Sequence, residues 1–561
     1  MNARICFATL FLWPFFLISQ NGDWILHHDI YHYVDRLDVL GYAVDGLPTT
    51  IKPYGREAVG TWIQEANTLE MSDAEWGWHQ RMLVQGNDSI ADAQAGSGFL
   101  NVFGNNQRDL YSVRTKEFRM YANPVLFLSG GIDQNTDPAA ADASLPLYNN
   151  LRGLVLRGSI GEKIGFHTEA GDYLARVPEF RYRQFRELGS IPGEEEIKQF
   201  GDQNGINYFK TRAYITAEAT DWLRIKFGKD RAHWGNGWQS LILSDHAADA
   251  FLLNLTANIW KFQYVSQFAQ LIDYIPGKPD VAGDFPRKYA AIHALNFRPN
   301  PHISFGVFES LMYGQNQPYG RRGFELQYLN PVMFYRSVEQ LIGSPDNATI
   351  GANLKVNLFD RIQLYGQALI DDFNFGNRTQ GPGYWGNQWA VQAGLKYYNA
   401  FGIPTLDLQV ETNHVRPYVY QHYSVVSNLS HYGESIGHAA GANVQDAHAI
   451  LRYHPHPAWN LQIVASAIRQ GLNLDDQNYG SDILSTYNLR PYEFGHTIGQ
   501  GLALNVRQLW GRLSWQLGAS EAYLEAEGRY RWERTGAGTP ITSSSLLIGL
   551  RVAAVPEQIR W

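Results

Sequence analysis

From about residue 118 onward, apolar and polar residues alternate along the chain with a period of two. Leu223, Ile225 and Phe227, for example, alternate with Arg224 and Lys226. This period is typical of β-strands that have one apolar and one polar face. The pattern predicts 18 strands, at residues 118–128, 151–159, 163–173, 208–219, 222–228, 250–256, 259–271, 287–297, 303–313, 348–358, 362–373, 388–398, 405–416, 447–454, 461–470, 500–518, 522–534 and 542–555.

The connections between these strands alternate between short and long. Short ones fall at 160–162, 220–221 and 359–361, whereas long ones fall at 174–207 and 417–446. A soluble β-sandwich also has alternating strands, but an even strand number with turns at one end and long loops at the other is typical of outer-membrane barrels. Closure also pairs the backbone groups that lie in lipid. We therefore predict an all-β fold, an 18-stranded antiparallel transmembrane β-barrel over residues 111–561, in the outer membrane of a Gram-negative bacterium.

The first residues have the pattern of a secretory signal peptide. Arg4 precedes an apolar segment from Ile5 to Ile18, and small and polar residues follow it. The apolar segment is too short for a membrane anchor, so we predict a signal peptide over residues 1–19. The only cysteine, Cys6, lies in this segment, and the exported chain is therefore expected to contain no disulfide.

Residues 20–110 follow a helical period instead. Ile30, Val34 and Leu37 recur at helical spacing, and Ser72 with Glu75 fits a capping box at the start of a later helix. We predict a small periplasmic helical element that packs on the rest of the chain as a cap, followed by a lead-in to the barrel.

The composition narrows the class of protein. Charged residues make up 18% of the chain, the net charge is −8, and the mean hydropathy is −0.31. These values exclude a helical membrane bundle and a disordered chain, and they argue against nucleic-acid binding. The sequence has no nucleotide-binding or zinc-protease motif, and histidine pairs such as His454 and His456 lack a third ligand. We expect no cofactor and no metal site.

The first informative loop follows Phe227. Trp234 and Trp238 offer flat faces on which sugar rings stack, and Arg231 suits a carboxylate or a phosphate. Gly235 permits a tight backbone turn between the two tryptophans. We predict that Arg231, Trp234 and Trp238 contact a polysaccharide. In the alternative interpretation the tryptophans fill the lumen and Arg231 pairs with lumen carboxylates.

The second informative loop runs from residue 328 to residue 347, and its middle is predicted to be a short helix. An empty barrel of this size is an open pore. Loops folded inward would close it, so we predict that Gly235, Tyr335, Arg336 and Glu339 belong to a lumen plug. Arg336 and Glu339, three residues apart, alternatively pair with each other.

The third informative loop interleaves cations with aromatic residues. Arg181, Arg183 and Arg186 alternate with Tyr182 and Phe185. This pattern suits an anionic glycan, and it equally suits the phosphates of lipopolysaccharide or a solvated loop. We include the three arginines among the predicted polysaccharide-binding residues.

Several segments resemble the capsule-assembly Wzi family, in its Bacteroidota-like branch. They are Phe227-Gly-Lys-Asp-Arg-Ala-His-Trp-Gly-Asn-Gly, Leu241-Ile-Leu-Ser-Asp, Tyr328-Leu-Asn-Pro-Val-Met-Phe-Tyr-Arg and Gly437-His-Ala-Ala-Gly-Ala-Asn. In the last segment Ala439 replaces the usual proline of the family. The resemblance implies an outer-membrane barrel closed by inward-folded extracellular loops. Only the matched positions can be given a role in this chain on the basis of the resemblance. They are Arg231, Trp234, Gly235, Tyr335 and Arg336.

The resemblance also implies a lectin-like protein that anchors, or helps to assemble, capsular polysaccharide or exopolysaccharide at the cell surface. We expect no enzymatic activity. The expected partners are an acidic polysaccharide, outer-membrane lipid with lipopolysaccharide, and the barrel-assembly machinery, and the protein is expected to be a monomer. The alternatives are a diffusion channel, an accessory protein of gliding motility, and a hydrolase built on Ser244, Asp245 and His246.

Overall fold

Eighteen antiparallel strands close into a barrel in the computed structural model. The structure describes residues 22–43, 47–88, 90–91, 108–140, 142–201, 204–273, 285–317, 320–321, 323–330, 346–372, 381–555 and 560. The strands are β1 (Phe118–Asn135), β2 (Ser144–Ile160), β3 (Ile164–Arg176), β4 (Gly205–Thr220), β5 (Leu223–Asp230), β6 (Ala250–Ile259), β7 (Phe262–Ile272), β8 (Arg287–Asn300), β9 (Ile303–Gly314), β10 (Asn347–Leu358), β11 (Ile362–Asp372), β12 (Gln388–Tyr397), β13 (Leu406–Val415), β14 (Val444–His456), β15 (Trp459–Leu472), β16 (Leu502–Gln516), β17 (Ala522–Thr535) and β18 (Ile541–Val552).

The barrel closes where the last strand pairs with the first. Leu126 lies opposite Val552, and Asn135 lies opposite Ser543. All of the predicted strands are therefore confirmed, although β1 and β2 extend well into the segment that was predicted as the loop 129–150. The predicted signal peptide, residues 1–19, lies outside the described residues.

The two faces of the barrel wall differ as the alternation predicts. On β10, Leu354 is 49% exposed and points outward, whereas its neighbour Lys355 is 1% exposed and points into the lumen. Near the short-turn end, the outward rings of Trp459 and Trp515 stack with their centroids 5.9 Å apart. Apolar outward residues and aromatic rings near the strand ends are typical of a barrel wall that contacts lipid.

Three helices precede the barrel: α1 (Asp29–Val39), α2 (Arg56–Gln64) and α3 (Asp73–Gly86). The predicted capping box of α3 is confirmed, because the Ser72 side chain accepts the amide of Glu75 and the Glu75 side chain accepts the amide of Ser72. Among the described residues, no helix combines the length and the apolarity that crossing a membrane requires. A shared core of apolar side chains, which includes Ile30, Val34 and Val59, holds the helices together.

Buried ion pairs join α1 to the lumen side of the barrel wall. Arg36 donates to Glu75 of α3 at 2.8 Å and also pairs with Asp407 of β13. Lys355 of β10 donates to Asp38 of α1 at 2.7 Å. The helices thus cap the end of the barrel that has the short turns, which is the periplasmic end in barrels of this class.

One long connection was predicted as a loop but contains a fourth helix, α4 (Glu179–Leu188). The signals for its ends were present: Pro178 precedes the helix, and Gly189 follows it in the left-handed conformation, with φ of 71°. Its first residues Glu179, Phe180 and Arg181 are all buried, so the helix has no simple apolar stripe that a sequence pattern would reveal.

Candidate functional site

The loop between β5 and β6 folds into the lumen. The backbone amides of Trp238 and Gln239 donate to the carboxylate of Glu411, a lumen-facing residue of β13, at 2.6 and 2.9 Å. The amide of Leu241 donates to Gln367 of β11 at 2.9 Å. The wall thus satisfies the backbone of the loop, as a buried irregular segment requires. This confirms the prediction of inward-folded loops for this part of the described chain.

Arg231 lies at the start of this loop and is engaged by the protein itself. Its guanidinium pairs with Asp249 and donates to the carbonyls of Gly193 and Asp245, at 2.8 and 3.2 Å. Asp249 is shared with Arg212 of β4, whose Nε donates to it at 2.9 Å. This arrangement is the alternative that the sequence left open, in which Arg231 pairs with lumen carboxylates.

Both tryptophans of the loop are buried: Trp234 is 2% exposed and Trp238 is 5% exposed. Gly235, between them, has φ of 131°, and a Cβ atom there would lie 2.3 Å from the Nε2 atom of Gln367. The carbonyl of Trp234 accepts a hydrogen bond from that same Nε2 atom at 2.8 Å. The positive φ therefore favours glycine at residue 235, and a side chain there would also displace the Gln367 amide from its hydrogen bond to Trp234.

A second loop, between β13 and β14, packs against the first one inside the barrel. The amide of Ser244 donates to the carbonyl of Ile436 at 2.7 Å, and the hydroxyl of Tyr420 donates to the carbonyl of Leu241 at 2.9 Å. Apolar side chains of both loops, such as Leu241 and Ile436, belong to one buried cluster with lumen-facing residues of the wall. We call the two loops, residues 231–249 and 416–443, the lumen plug.

The loop between β15 and β16 is anchored to the lumen plug by Asn443. The Asn443 side-chain amide donates to the carbonyls of Gly471, Tyr479 and Gln500, at 2.8, 3.1 and 2.9 Å. Its side-chain oxygen accepts the amide of Gly499 at 2.8 Å. A single buried side chain thus fixes both ends of the loop, and this rigidity reduces the entropy that the loop would lose on binding a ligand.

Aromatic residues from three loops form an accessible surface at the long-loop end of the barrel. The Trp385 ring lies 4.6 Å from the ring of Tyr487, and the guanidinium of Arg490 lies 4.2 Å from the Trp385 centroid. Tyr423, on the neighbouring loop, is 48% exposed. We call this set the aromatic surface: Tyr384, Trp385, Tyr423, Tyr487 and Phe494, with Arg490.

One polar residue completes the aromatic surface. Glu493, whose side chain is 53% exposed, accepts a hydrogen bond from the Trp385 Nε1 atom at 2.8 Å. It also accepts from the Nε atom of Arg490 at 2.9 Å. Partly exposed aromatic faces, a cation and a carboxylate are therefore held in one fixed arrangement, which suits stacking on sugar rings and hydrogen bonding to their hydroxyls.

The family model of the capsule assembly protein Wzi matches residues 180–537 of this chain, a span that covers more than half of it. The chain belongs to the Wzi family of capsule assembly proteins. Membership and the closed barrel together place this Wzi-family protein in the outer membrane. A comparison with curated proteins gives no match.

This Wzi-family chain resembles several solved structures. Escherichia coli Wzi, described as a carbohydrate-binding β-barrel involved in group 1 capsule assembly, is 14% identical, with a TM-score of 0.53 and coverage of 94% of this chain and 99% of that one. Pseudomonas aeruginosa OccD3 is 10% identical, with a TM-score of 0.39 and coverage of 77% and 92%. Acinetobacter baumannii OccAB2 is 9% identical, with a TM-score of 0.41 and coverage of 77% and 98%. At these identities the comparison with Wzi bears on the fold alone.

The three arginines of the third informative loop, Arg181, Arg183 and Arg186, lie on α4 of the Wzi-family barrel. Arg181 is buried, whereas Arg183 pairs with Asp137 at 2.9 Å and with Glu533 of β17. Arg186 is the most accessible of them, with a side chain that is 42% exposed and an ion pair to Glu179 at 2.7 Å. The helix therefore separates arginines that the sequence pattern groups together.

The remaining predicted residues have different outcomes. Tyr335, Arg336 and Glu339 lie outside the described residues, so their place in a plug stays a prediction. Ser244 and His246 make a local turn in which the Ser244 hydroxyl accepts the amide of His246 at 3.1 Å. Within the described chain, no hydrogen bond links the His246 ring to Ser244 or Asp245. The relay that a serine hydrolase needs is thus not formed by these described residues.

Asp245 instead anchors a charged cluster in the lumen of this Wzi-family protein. Its carboxylate contacts His27 at 2.5 Å and His233 at 3.1 Å, and it also pairs with Arg560. Burial alone would raise the pKa of Asp245, but the Arg560 guanidinium and the hydrogen-bonded histidines lower it well below its ordinary value. Burial lowers the pKa of His233 to about 4. The cluster therefore joins the N-terminal segment to the plug with Asp245 ionised.

Sequence reasoning missed the aromatic surface because its members are distant in the chain. Trp385 lies before β12, whereas Tyr487 and Arg490 lie about 100 residues later, before β16. The available signal was the aromatic content of the long loop 471–499, which has three tyrosines and a phenylalanine. Nothing in the local pattern indicated that this loop meets the loop after β11.

Proposed function

We propose that this protein is a lectin-like barrel that holds an acidic capsular polysaccharide or exopolysaccharide at the cell surface and acts without catalysis. The observation that carries the proposal is the aromatic surface on rigid loops, in a chain that belongs to the capsule assembly family. Each contact with a sugar would be weak. Because the ligand repeats along its length, many such contacts add up to strong retention.

We further propose that the aromatic surface makes the first contact with the polysaccharide, with Arg186 as an additional cation on α4. The burial of Trp234 and Trp238 and the internal partners of Arg231 favour a structural role for these three residues. In this proposal they hold the plug in place, and the plug in turn supports the loops that carry the aromatic surface.

The test is the binding of purified, detergent-solubilised protein to the surface polysaccharide of the host, with Trp385→Ala as the diagnostic variant. We expect about a tenfold loss of affinity, equivalent to about 1.4 kcal/mol. Trp222→Ala is the matched control, because Trp222 is 47% exposed but lies in a short turn at the opposite end. Equal binding by the two variants would show that the aromatic surface is not the site.

A diffusion channel is the second candidate, and conductance in planar bilayers separates it from the first. The plug occupies the lumen with buried residues such as Leu241 and Tyr420, both 0% exposed. We therefore expect no steady conductance from the wild-type protein. Steady conductance without polysaccharide binding would contradict the lectin-like function and favour a channel.

A further inference from the structure

Three arginines lie together on the outward face of the barrel, on β15, β16 and β17. Arg469 and Arg534 both lie directly opposite Asn505 of β16, one on each side. Arg507 is two residues further along β16 and therefore on the same face. Since neighbouring strands are about 4.8 Å apart, Arg469 and Arg534 are separated by about 10 Å, with Arg507 between them and closer to the centre of the wall.

These arginines have no acidic partner among the described residues. The guanidinium groups of Arg507 and Arg534 both lie near the ring of Trp532, at 5.3 and 5.8 Å from its centroid. All three are exposed. The lumen-facing arginines of the same strands are paired, as Arg531 of β17 is with Glu533 at 3.0 Å. Three guanidinium groups without an acidic partner in the described part of the chain thus lie on a lipid-facing wall, where an anion from outside the chain would neutralise them.

The depth of the three arginines can be estimated from the opposite aromatic girdle. Arg507 precedes Trp515 by eight residues on β16, about 26 Å along the strand and about 20 Å along the membrane normal at the usual tilt. Arg469 and Arg534 lie about 5 Å further out. The apolar band of such barrels is about 25 Å tall, so Arg469 and Arg534 lie at its outer edge, and Arg507 lies about 5 Å inside it, within reach of the outer-leaflet headgroups for a long side chain.

A shallow apolar groove of about 800 Å³ begins directly below the arginines. Ala467, on its floor, lies opposite Arg507, and Ala447 lies opposite Ala467. Larger outward residues, Leu509 and Tyr530, stand at one side. Further small residues that line the groove include Ala393, Ala449 and Ala465. The short side chains leave room against the wall for a linear apolar group.

We propose that this face is a binding site for lipopolysaccharide, with phosphates of its lipid A on Arg469, Arg507 and Arg534 and an acyl chain in the groove. Guanidinium groups bind phosphate oxygens bidentately, and three of them spread over about 10 Å suit a ligand with more than one phosphate. An ordinary phospholipid, with a single phosphate, would leave part of the cluster without a counter-charge. The site is separate from the aromatic surface, so it does not depend on the proposed polysaccharide binding.

Native mass spectrometry of the detergent-solubilised full chain, titrated with purified lipid A, tests the proposal. We expect lipid A to remain bound and to be displaced only weakly by phosphatidylglycerol. The triple variant R469Q/R507Q/R534Q should lose at least tenfold in affinity. Because it removes charges from a lipid-facing wall, it should still fold, and heat-modifiable gel migration checks that it does.

Two further variants test the groove and the specificity of the charge effect. Ala449→Leu with Ala465→Leu fills the groove without altering an arginine, and we expect severalfold weaker binding of lipid A. Arg152→Gln is the matched control, because Arg152 also points outward but donates to Asn150 at 2.8 Å; it should bind like the wild type.

Equal affinity of the wild type for phosphatidylglycerol and lipid A would overturn the assignment, since it would indicate only a general attraction for anionic lipid. Unchanged lipid A binding by the triple variant would overturn it as well. A dimer of wild-type protein that the groove variant abolishes, without lipid A binding, would show that the groove is instead a contact between two copies.

Discussion

The backbone amide of Trp238, in the lumen plug, donates a hydrogen bond of 2.6 Å to the carboxylate of Glu411, in the barrel wall. The same carboxylate accepts the amide of Gln239 at 2.9 Å and the hydroxyl of Tyr365 at 2.8 Å. A single acidic residue of the wall thus satisfies two consecutive amides of a buried loop. This explains why a carboxylate, with its several acceptor positions, occupies the lumen here.

Replacement of Glu411 by Ala should loosen the plug. Each buried amide that loses its acceptor costs about 1–3 kcal/mol, so we expect residues 231–249 to detach from the wall and ions to pass. Single-channel recording should show frequent openings that the wild type lacks. Tyr365→Phe is the control: it removes a different donor to Glu411 and leaves the two amides satisfied. If recordings of Glu411→Ala show no channel openings, other contacts suffice to hold the plug.

Arg231→Ala should lower the thermal stability of the protein while leaving most polysaccharide binding intact. The variant leaves Asp249 with only Arg212 and frees the carbonyls of Gly193 and Asp245. We expect a loss of about 3–5 kcal/mol, as for a broken buried ion pair, measured by calorimetry. Arg231→Lys should recover part of the lost stability. If Arg231→Ala has normal stability but no longer binds the polysaccharide, Arg231 belongs to the polysaccharide site, as its sequence context predicted.

The barrel was predictable because lipid and lumen impose opposite chemistries on alternate residues. Outward Leu354 is 49% exposed and inward Lys355 is 1% exposed, and this contrast repeats on strand after strand. The sequence therefore indicated all the strands and the cap at the short-turn end. It did not indicate α4, since Glu179 and Arg181 are buried through specific pairs and contacts and not through an apolar stripe.

The candidate site was less predictable than the fold. The sequence pattern predicted Arg231 and Trp234 as polysaccharide-binding residues and Gly235 as part of a lumen plug, but it could not say whether the rings of the tryptophans faced solvent or the lumen. That choice depends on Glu411 and Gln367, which lie more than 120 residues away in the chain. The aromatic surface likewise depends on long-range contacts, such as that between Trp385 and Glu493.

The pair Arg490 and Glu493 should set the charge preference of the aromatic surface. Glu493 competes with an acidic ligand for the Arg490 guanidinium, to which it is bound at 2.9 Å. We expect Glu493→Gln to bind an acidic polysaccharide several times more tightly and Arg490→Gln to bind it several times more weakly. Added salt should reduce both wild-type binding and the gain in Glu493→Gln, because the side chain of Glu493 is 53% exposed and that of Arg490 is 20% exposed.

A neutral polysaccharide is the comparison ligand for this pair of variants. If charge acts as proposed, neither substitution should change its binding by more than about twofold. Equal effects on the acidic and the neutral polysaccharide would mean that the two residues shape the surface, and that they do not select the charge of the ligand. Both effects are read from the same titrations at low and physiological ionic strength.

Glu434 should make the packing of the lumen plug sensitive to alkaline pH. It lies in the loop between β13 and β14, and burial raises its pKa to about 8. Its carboxyl group accepts the amide of Gly193 at 3.1 Å. Because the folded pKa exceeds the ordinary value of about 4.5, the stabilisation is fully present below about pH 4.5. It falls as the pH rises and is lost once the pH has passed about 8.

We therefore expect the thermal midpoint of the wild type to fall between about pH 6 and pH 8, with channel openings that become more frequent over the same interval. Glu434→Gln keeps an acceptor for the Gly193 amide but cannot ionise, so its midpoint should change much less with pH. Asp245, whose pKa is held well below its ordinary value, stays ionised throughout this interval and therefore does not make the stability depend on pH. A variant with the same pH dependence as the wild type would show that another group controls the plug.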